Sequence, residues 1–253
     1  MKLAADLQLR SVQVRYLHPD GQEERCSLED AAGVAFENCS AIRRIPRRAD
    51  QAHTPSTHWS STTNRMIDCE SHLESVWMTL LDFDQEVSGF SGQPMQLFGV
   101  DDRGTWKATP DLFVRRLDGS ATVMEVKNPG RLADTRVRAA AERVAACCAV
   151  AGWGYELVGE PPERQRTINV LTLAGYRREM AGVSDYRTQL MALAGKPVPL
   201  GQLVSFTAEP LVARAVVLHL CWTGELAADL SRPLEDTTLV WAASKSSDAG
   251  ARR

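Results

Sequence analysis

Apolar positions recur along the chain with two periods, and the switches between those periods mark its elements. Val12, Val14 and Tyr16 alternate with polar residues and Pro19-Asp20-Gly21 supplies a turn, so residues 11–28 are expected to form a hairpin. Ser27-Leu28-Glu29-Asp30 then opens a short Ala-rich helix. From Ile42 to Asn64 there is no period, and arginines, prolines, Ser and Thr dominate; this stretch reads as a long loop. The helical period returns at Leu73, Val76, Trp77, Leu80 and Leu81, predicting a helix over 69–82 with Asp68 as its N-cap. Val87–Phe90 and Gln93–Val100 are strand-like, Asp101–Gly104 is a turn, and Trp106 leads into the next strand. Residues 111–117 and 121–126 fold back on each other at Asp118-Gly119. After Asn128-Pro129-Gly130 a second helix is expected over 134–151, with Val137, Ala141, Val144, Cys148 and Ala151 on one stripe. Gly152 and Gly154 stop it before a strand at Tyr155–Val158. The order is helix, three antiparallel strands, helix, strand, and the second helix is a crossover that lays the last strand parallel to a neighbour.

Beyond Gly159, Glu160-Pro161-Pro162-Glu163 marks a boundary. Residues 166–180 suggest a helix carrying Arg166, Arg177 and Arg178; 200–206 and 210–221 suggest two more. Short extended runs follow at Leu226–Leu230 and Thr237–Trp241. Helices followed by a small hairpin suggest a winged-helix module, with a helical cap as the plainer reading. Ser244–Arg253 has no apolar face and is expected to be disordered. The expected organisation is an N-terminal hairpin and basic loop (1–64), an α/β core (65–160), a C-terminal helical or winged-helix-like domain (161–243) and a tail (244–253).

Composition changes this picture little. At 253 residues with 44% hydrophobic and 24% charged residues, the chain can bury a real core. A net charge of −3 argues against nucleic-acid binding through overall charge, so any such contact needs a local basic patch. Six cysteines without a C-x-x-C pair fit reduced thiols in a cytoplasmic protein. No apolar run approaches the length needed to span a bilayer, and no membrane partner is expected.

The chemistry is concentrated in the hairpin at 111–127. Alternation puts Glu125 and Lys127 on one face. A two-residue turn at Asp118-Gly119 would set Asp111 against Val126 and send the two carboxylates to opposite faces. A three-residue loop, Leu117-Asp118-Gly119, instead puts Asp111 across from Glu125 and needs Gly119 at positive φ. Two converging carboxylates suit Mg²⁺ (or Mn²⁺) with its waters, and a neighbouring lysine can orient water or stabilise phosphate charge. Glu70 and Glu74, read as one turn apart on the first helix, are both candidates for a third carboxylate. An ordinary salt-bridged surface is the plainer reading for each of these residues.

The pattern Pro110-Asp111 … Glu125-Val126-Lys127 resembles the PD-(D/E)xK signature of restriction-endonuclease-like nucleases. Cys69-Glu-Ser-His-Leu-Glu74, Leu81-Asp-Phe-Asp84, Gly92-Gln93-Pro94, Leu173-Ala-Gly-Tyr-Arg177, His219-Leu-Cys-Trp222 and Asp229-Leu-Ser-Arg-Pro233 extend that likeness. Together they resemble the TnsA-type endonuclease subunit of heteromeric transposases over nearly the whole chain. The resemblance implies a restriction-endonuclease-like αβββαβ core with Glu74, Asp111, Glu125 and Lys127 as catalytic residues. It implies Asp111, Glu125 and Glu74 as metal ligands, with Gln93 beside the site and Glu70 as the rival of Glu74. It implies as partners double-stranded DNA, an integrase-type transposase subunit and an AAA+ ATPase regulator, the last docked by the C-terminal domain. Apart from the resemblance, Arg43, Arg44, Arg47 and Arg48 of the 42–64 loop read either as a basic arm that tracks a phosphate backbone or as a solvated connector. Lys127-Asn128-Pro129 departs from relatives that place proline directly after the lysine. The alternatives are a stand-alone nuclease of the same fold in repair or phage defence, and a non-catalytic DNA- or partner-binding module.

Overall fold

Alternation at Val12, Val14 and Tyr16 produces β1 (Arg10–Leu17), paired antiparallel with β2 (Glu23–Ser27). The structure, a computed structural model, describes residues 10–43, 56–102, 104–180 and 182–243. Arg44, Arg47, Arg48 and the tail at 244–253 lie outside them. Ser27 caps α1 (Leu28–Ala31) by accepting the Asp30 N–H, as the sequence suggested. The end of the expected 42–64 loop holds a strand instead, β3 (Ser56–Ser60), paired antiparallel with β4 (Arg65–Cys69). Its inward residues include His58 and Ser60, polar side chains that a hydrophobicity pattern does not mark as buried. Because β4 runs on through Cys69, helix α2 (His72–Phe83) begins later than expected. Its N-cap is Ser71, not Asp68, and Ser71 Oγ accepts the Glu74 N–H at 3.2 Å.

By their contacts the residues form two compact units, Met1–Pro161 and Pro162–Arg253. In the first, β5 (Val87–Gly92) is followed by β6 (Met95–Asp101) and β7 (Gly104–Ala108), and then by the hairpin β8 (Leu112–Arg116) and β9 (Ala121–Val126). Helix α3 (Thr135–Ala151) crosses over to β10 (Gly154–Val158), which lies parallel to β9. One sheet has the order β10-β9-β8-β5, the other β2-β1-β6-β7. Gln93–Val100 therefore does not continue the central antiparallel run; β6 and β7 leave it and pair with the N-terminal hairpin. The β1–β2 hairpin thus shares a sheet with the middle of the chain instead of standing apart.

The central sheet separates two apolar clusters. Phe113, Ala121 and Val123 pack with Val144, Cys147 and Cys148 of α3 and with Phe36 and Trp153. The alternate residues Leu112, Val114, Met124 and Val126 pack with Met78 and Leu81 of α2. Each fully buried large side chain here stabilises the fold by roughly 1.5–3 kcal/mol. All six cysteines are free, and burial pushes the Cys147 thiol up to about 12.

The second unit follows the order α4 (Arg164–Leu173), α5 (Val183–Leu193), β11 (Val198–Pro199), α6 (Leu200–Ser205), α7 (Pro210–Trp222), β12 (Leu226–Ala228) and β13 (Leu239–Ala242). The expected 166–180 helix ends earlier, at Leu173, and α5 is an additional helix. The three strands form one antiparallel sheet in the order β11-β13-β12. No helix among the described residues is long and apolar enough to cross a membrane.

Candidate active site

The register of β8 and β9 builds the site. Leu112 faces Met124, Phe113 faces Val123, and Arg115 faces Ala121. Continuing that count, Arg116 meets Ser120 and Asp111 meets Glu125. The Arg116 N–H donates to Ser120 O, the Gly119 N–H donates to Arg116 O, and Gly119 has φ +85°. This is the three-residue loop with a left-handed glycine that the sequence argument required. No side-chain crowding enforces glycine at 119; the backbone angle does.

Asp111 precedes the paired part of β8, and its side chain extends the ladder. Its Oδ2 accepts the Val126 N–H at 2.8 Å and the Lys127 ammonium at 2.7 Å. Lys127 Nζ also lies 4.0 Å from Glu125 Oε1, so one cation stands between two carboxylates. Asp111 and Glu125 are each only 7% exposed, so the pair is buried and is not an ordinary salt-bridged surface. Glu125 Oε2 also accepts a hydrogen bond from Tyr155 Oη at 2.5 Å. Burial holds the Glu125 carboxyl above its ordinary value of 4.5; Tyr155 and Lys127 pull it back, and Asp111 raises it further. Sequence reasoning missed Tyr155. Its place opposite Val123 depends on the parallel register of β10, which local pattern does not reveal.

Glu74 is buried at the start of α2. Its Oε1 accepts the Ser71 hydroxyl at 2.9 Å and its Oε2 the Glu70 N–H at 3.0 Å, close to a capping box. Burial raises its pKa, the Glu70 N–H opposes that, and the Asp111 charge raises it further. Glu70 is not on the helix but in the turn before it, where its carboxylate pairs with Arg43 Nη2 at 2.7 Å. Arg43 in turn donates from Nε to Gln93 Oε1 at 3.1 Å, so it is tied to this network instead of standing on a free arm. Gln93 adopts φ +47°, uncommon for a residue with a Cβ, and is 3% exposed. Its N–H donates to Asp111 O and its carbonyl accepts the Ile42 N–H, both at 2.9 Å. Gln93 Nε2 is buried without a hydrogen-bond partner among the described residues. Strain and an unfilled buried donor are found together beside Asp111.

No family model and no curated protein matches the chain. The chemistry must therefore be read from the geometry. Among the described residues no group of three or more His, Cys, Asp or Glu side chains could hold a metal ion. The expected ligand trio is thus not assembled, and the sheet supplies the reason. Asp111 and Glu125 share the face of Phe113 and Val123, which packs on α3, whereas Glu74 sits on α2, which packs on the other face. Asp111 and Glu125 alone still fit a hard cation of the Mg²⁺ type, held by one or two carboxylates with water and substrate oxygens completing its shell. The Lys127 ammonium between them shows that the pair accommodates positive charge.

Proposed function

We propose that the protein is a metal-dependent endodeoxyribonuclease acting as the TnsA-type subunit of a heteromeric transposase in the cytoplasm. The observation that carries this reading is the register that sets Asp111 across from Glu125, with Lys127 Nζ between them. The succession α2, β5, β8, β9, α3, β10 supports a restriction-endonuclease-like core with β6 and β7 inserted. The order of α5, β11, α6, α7, β12 and β13 supports a winged-helix-like second unit. Double-stranded DNA is the substrate in this reading, and an integrase-type subunit and an AAA+ regulator are the partners.

Asp111 and Glu125 are the residues that would hold Mg²⁺ or Mn²⁺. The ion, when bound, supplies a water of lowered pKa and neutralises charge on the phosphate. Lys127, whose ammonium lies between the two carboxylates, would then supply a cationic donor to the scissile phosphate. Tyr155 keeps Glu125 in one rotamer. Glu74, which senses the Asp111 charge, adds negative potential at Asp111 and so favours a cation there.

The test is DNA cleavage with Mg²⁺, in the presence of the partner subunits. Asp111→Asn is the cleaner variant, since Asn can still accept the Val126 N–H, whereas Ala leaves that N–H unpartnered. Cleavage is expected to fall roughly hundredfold or more while circular dichroism stays unchanged. Wild-type cutting by Asp111→Asn would rule the reading out.

A further inference from the structure

The solvent face of the β2-β1-β6-β7 sheet plays no part in the site above, yet register assembles a specific surface there. Arg25 lies opposite Arg15, and Arg15 opposite Gln96. In the adjacent row Ser27, Gln13, Phe98 and Lys107 stand side by side. Val14, Tyr16, Met95 and Leu97 fill the core, so alternation turns these two rows outward. A pocket of about 300 Å³ lies on this sheet, with Gln13, Arg15, Arg25, Phe98, Val100 and Thr105 in its lining.

Two arginines directly opposite each other across strands repel. Glu23 offsets one of the two charges, from 3.5 Å (Arg15) and 3.7 Å (Arg25). The Arg15 guanidinium lies 5.7 Å from the Phe98 ring centroid, and its Nε is buried with no hydrogen-bond partner among the described residues. Lys107, exposed beside Phe98, adds another positive charge. The patch thus carries surplus positive charge in a chain of net charge −3. Cations around an aromatic ring at a pocket of this size suit a base on the planar groups and phosphates on the charges.

We propose that this face binds a segment of single-stranded nucleic acid. One base stacks on the Arg15–Phe98 pair, and flanking phosphates are held by Arg25 and Lys107. The surface also leads toward Asp111. Arg15 Nη2 donates to Gln96 Oε1 and Gln96 Nε2 to Thr109 Oγ1, both at 3.1 Å, and Thr109 lies two residues before Asp111. With strands about 5 Å apart, Thr109 lies about 10 Å from the Arg15 backbone. The binding itself requires no catalytic step.

Fluorescence anisotropy with labelled oligothymidylate, oligouridylate and a short duplex, in EDTA and across a salt series, tests this. The single strands are expected to bind more tightly than the duplex, with Phe98→Leu weakening them roughly tenfold. Lys107→Gln, at an exposed position that leaves the fold untouched, and Arg25→Gln should each lower the slope of log K against log salt by about 0.7. Preference for either single strand supports the proposal and identifies its natural ligand as DNA or RNA. Wild-type affinity and slope in both Phe98→Leu and Lys107→Gln would overturn it, as would equal or tighter binding of the duplex. Asp111→Asn should bind the single strands as wild type does, so absence of cleavage and absence of binding are separate results.

Discussion

At the scale of single residues, the site is a set of buried carboxylates held by neighbours that only partly satisfy them. Glu125 and Glu74 both have carboxyls raised above 4.5, chiefly by burial. The folded state therefore holds their protons more tightly than the unfolded chain does. Their contribution to stability is full below about pH 4.5 and is lost as pH rises through the folded value. At pH 7 without a cation, Glu125 is a liability that function retains. Glu125→Gln should therefore flatten the fall in Tm as pH rises above about 4.5 and raise the metal-free Tm at pH 7. Mg²⁺ should stabilise the wild type and not this variant; equal stabilisation of both, read by differential scanning fluorimetry, would show that the ion binds elsewhere. Glu70 and Glu74 separate by the same reasoning. Glu70 is tied to Arg43 and stands off the helix, whereas Glu74 is buried and senses Asp111. Glu74→Gln should cut cleavage by roughly tenfold or more and Glu70→Gln should keep most of it; equal losses in a cleavage assay would remove the distinction. Asp111, Glu125 and Lys127 were legible in the sequence because a period of two and one glycine turn fix their common face. The pairing of Glu70 with Glu74 misled because both were placed on a helix that starts only at His72.

At the scale of elements, the hairpin β8–β9 and the crossover α3–β10 follow from apolar periodicity, while β3 does not. Its sequence, Ser-Thr-His-Trp-Ser, carries no apolar alternation. What holds it is Asp82 on α2, which accepts Ser60 Oγ at 2.8 Å, the Ser61 N–H at 3.0 Å and the Thr62 N–H at 2.8 Å. His58 Nε2 lies 3.7 Å from the same carboxylate. Burial pushes the Asp82 pKa up, but His58 and the Thr62, Ser61 and Ser60 donors outweigh it and bring it down to about 2. A lowered carboxyl stabilises above its ordinary 3.8, and that contribution disappears as pH falls toward 2. Long-range polar satisfaction of this kind leaves no periodic trace, which is why the stretch read as a loop. Asp82→Ala strands several buried donors and should cost about 3 kcal/mol in urea denaturation at pH 7, with a much smaller difference from wild type at pH 2.5. A loss below about 1 kcal/mol at pH 7 would show that the β3–β4 pair holds to α2 by its apolar contacts alone.

At the scale of the whole molecule, the question is whether the site belongs to a unit that stands by itself. Every residue of the two apolar clusters around the central sheet lies between Val12 and Val158. Both carboxylates, Lys127, Tyr155 and the Glu70–Arg43–Gln93 network lie in the same span. The last strand of that sheet is β10, and Trp77 Nε1 on α2 donates to Gly159 O at 2.7 Å, closing the unit just before the Glu160-Pro161-Pro162 boundary. The second unit buries its own apolar residues, among them Leu173, Leu190, Leu200, Leu203, Val216, Val217 and Leu220. Its boundary was legible because two prolines between polar residues interrupt both periods; its extra helix α5 was not, because Val183–Leu193 buries only Leu190 and so shows little apolar stripe. A chain ending at Pro161 is therefore expected to be soluble and to unfold in one cooperative transition, with the pH dependence attributed above to Glu125 and Asp82 intact. Circular dichroism melts and proton–nitrogen correlation spectra of this fragment check it. A molten fragment, with helical signal but no cooperative melt, would mean that residues after 161 complete the core, and the two units would have to be treated as one folding body.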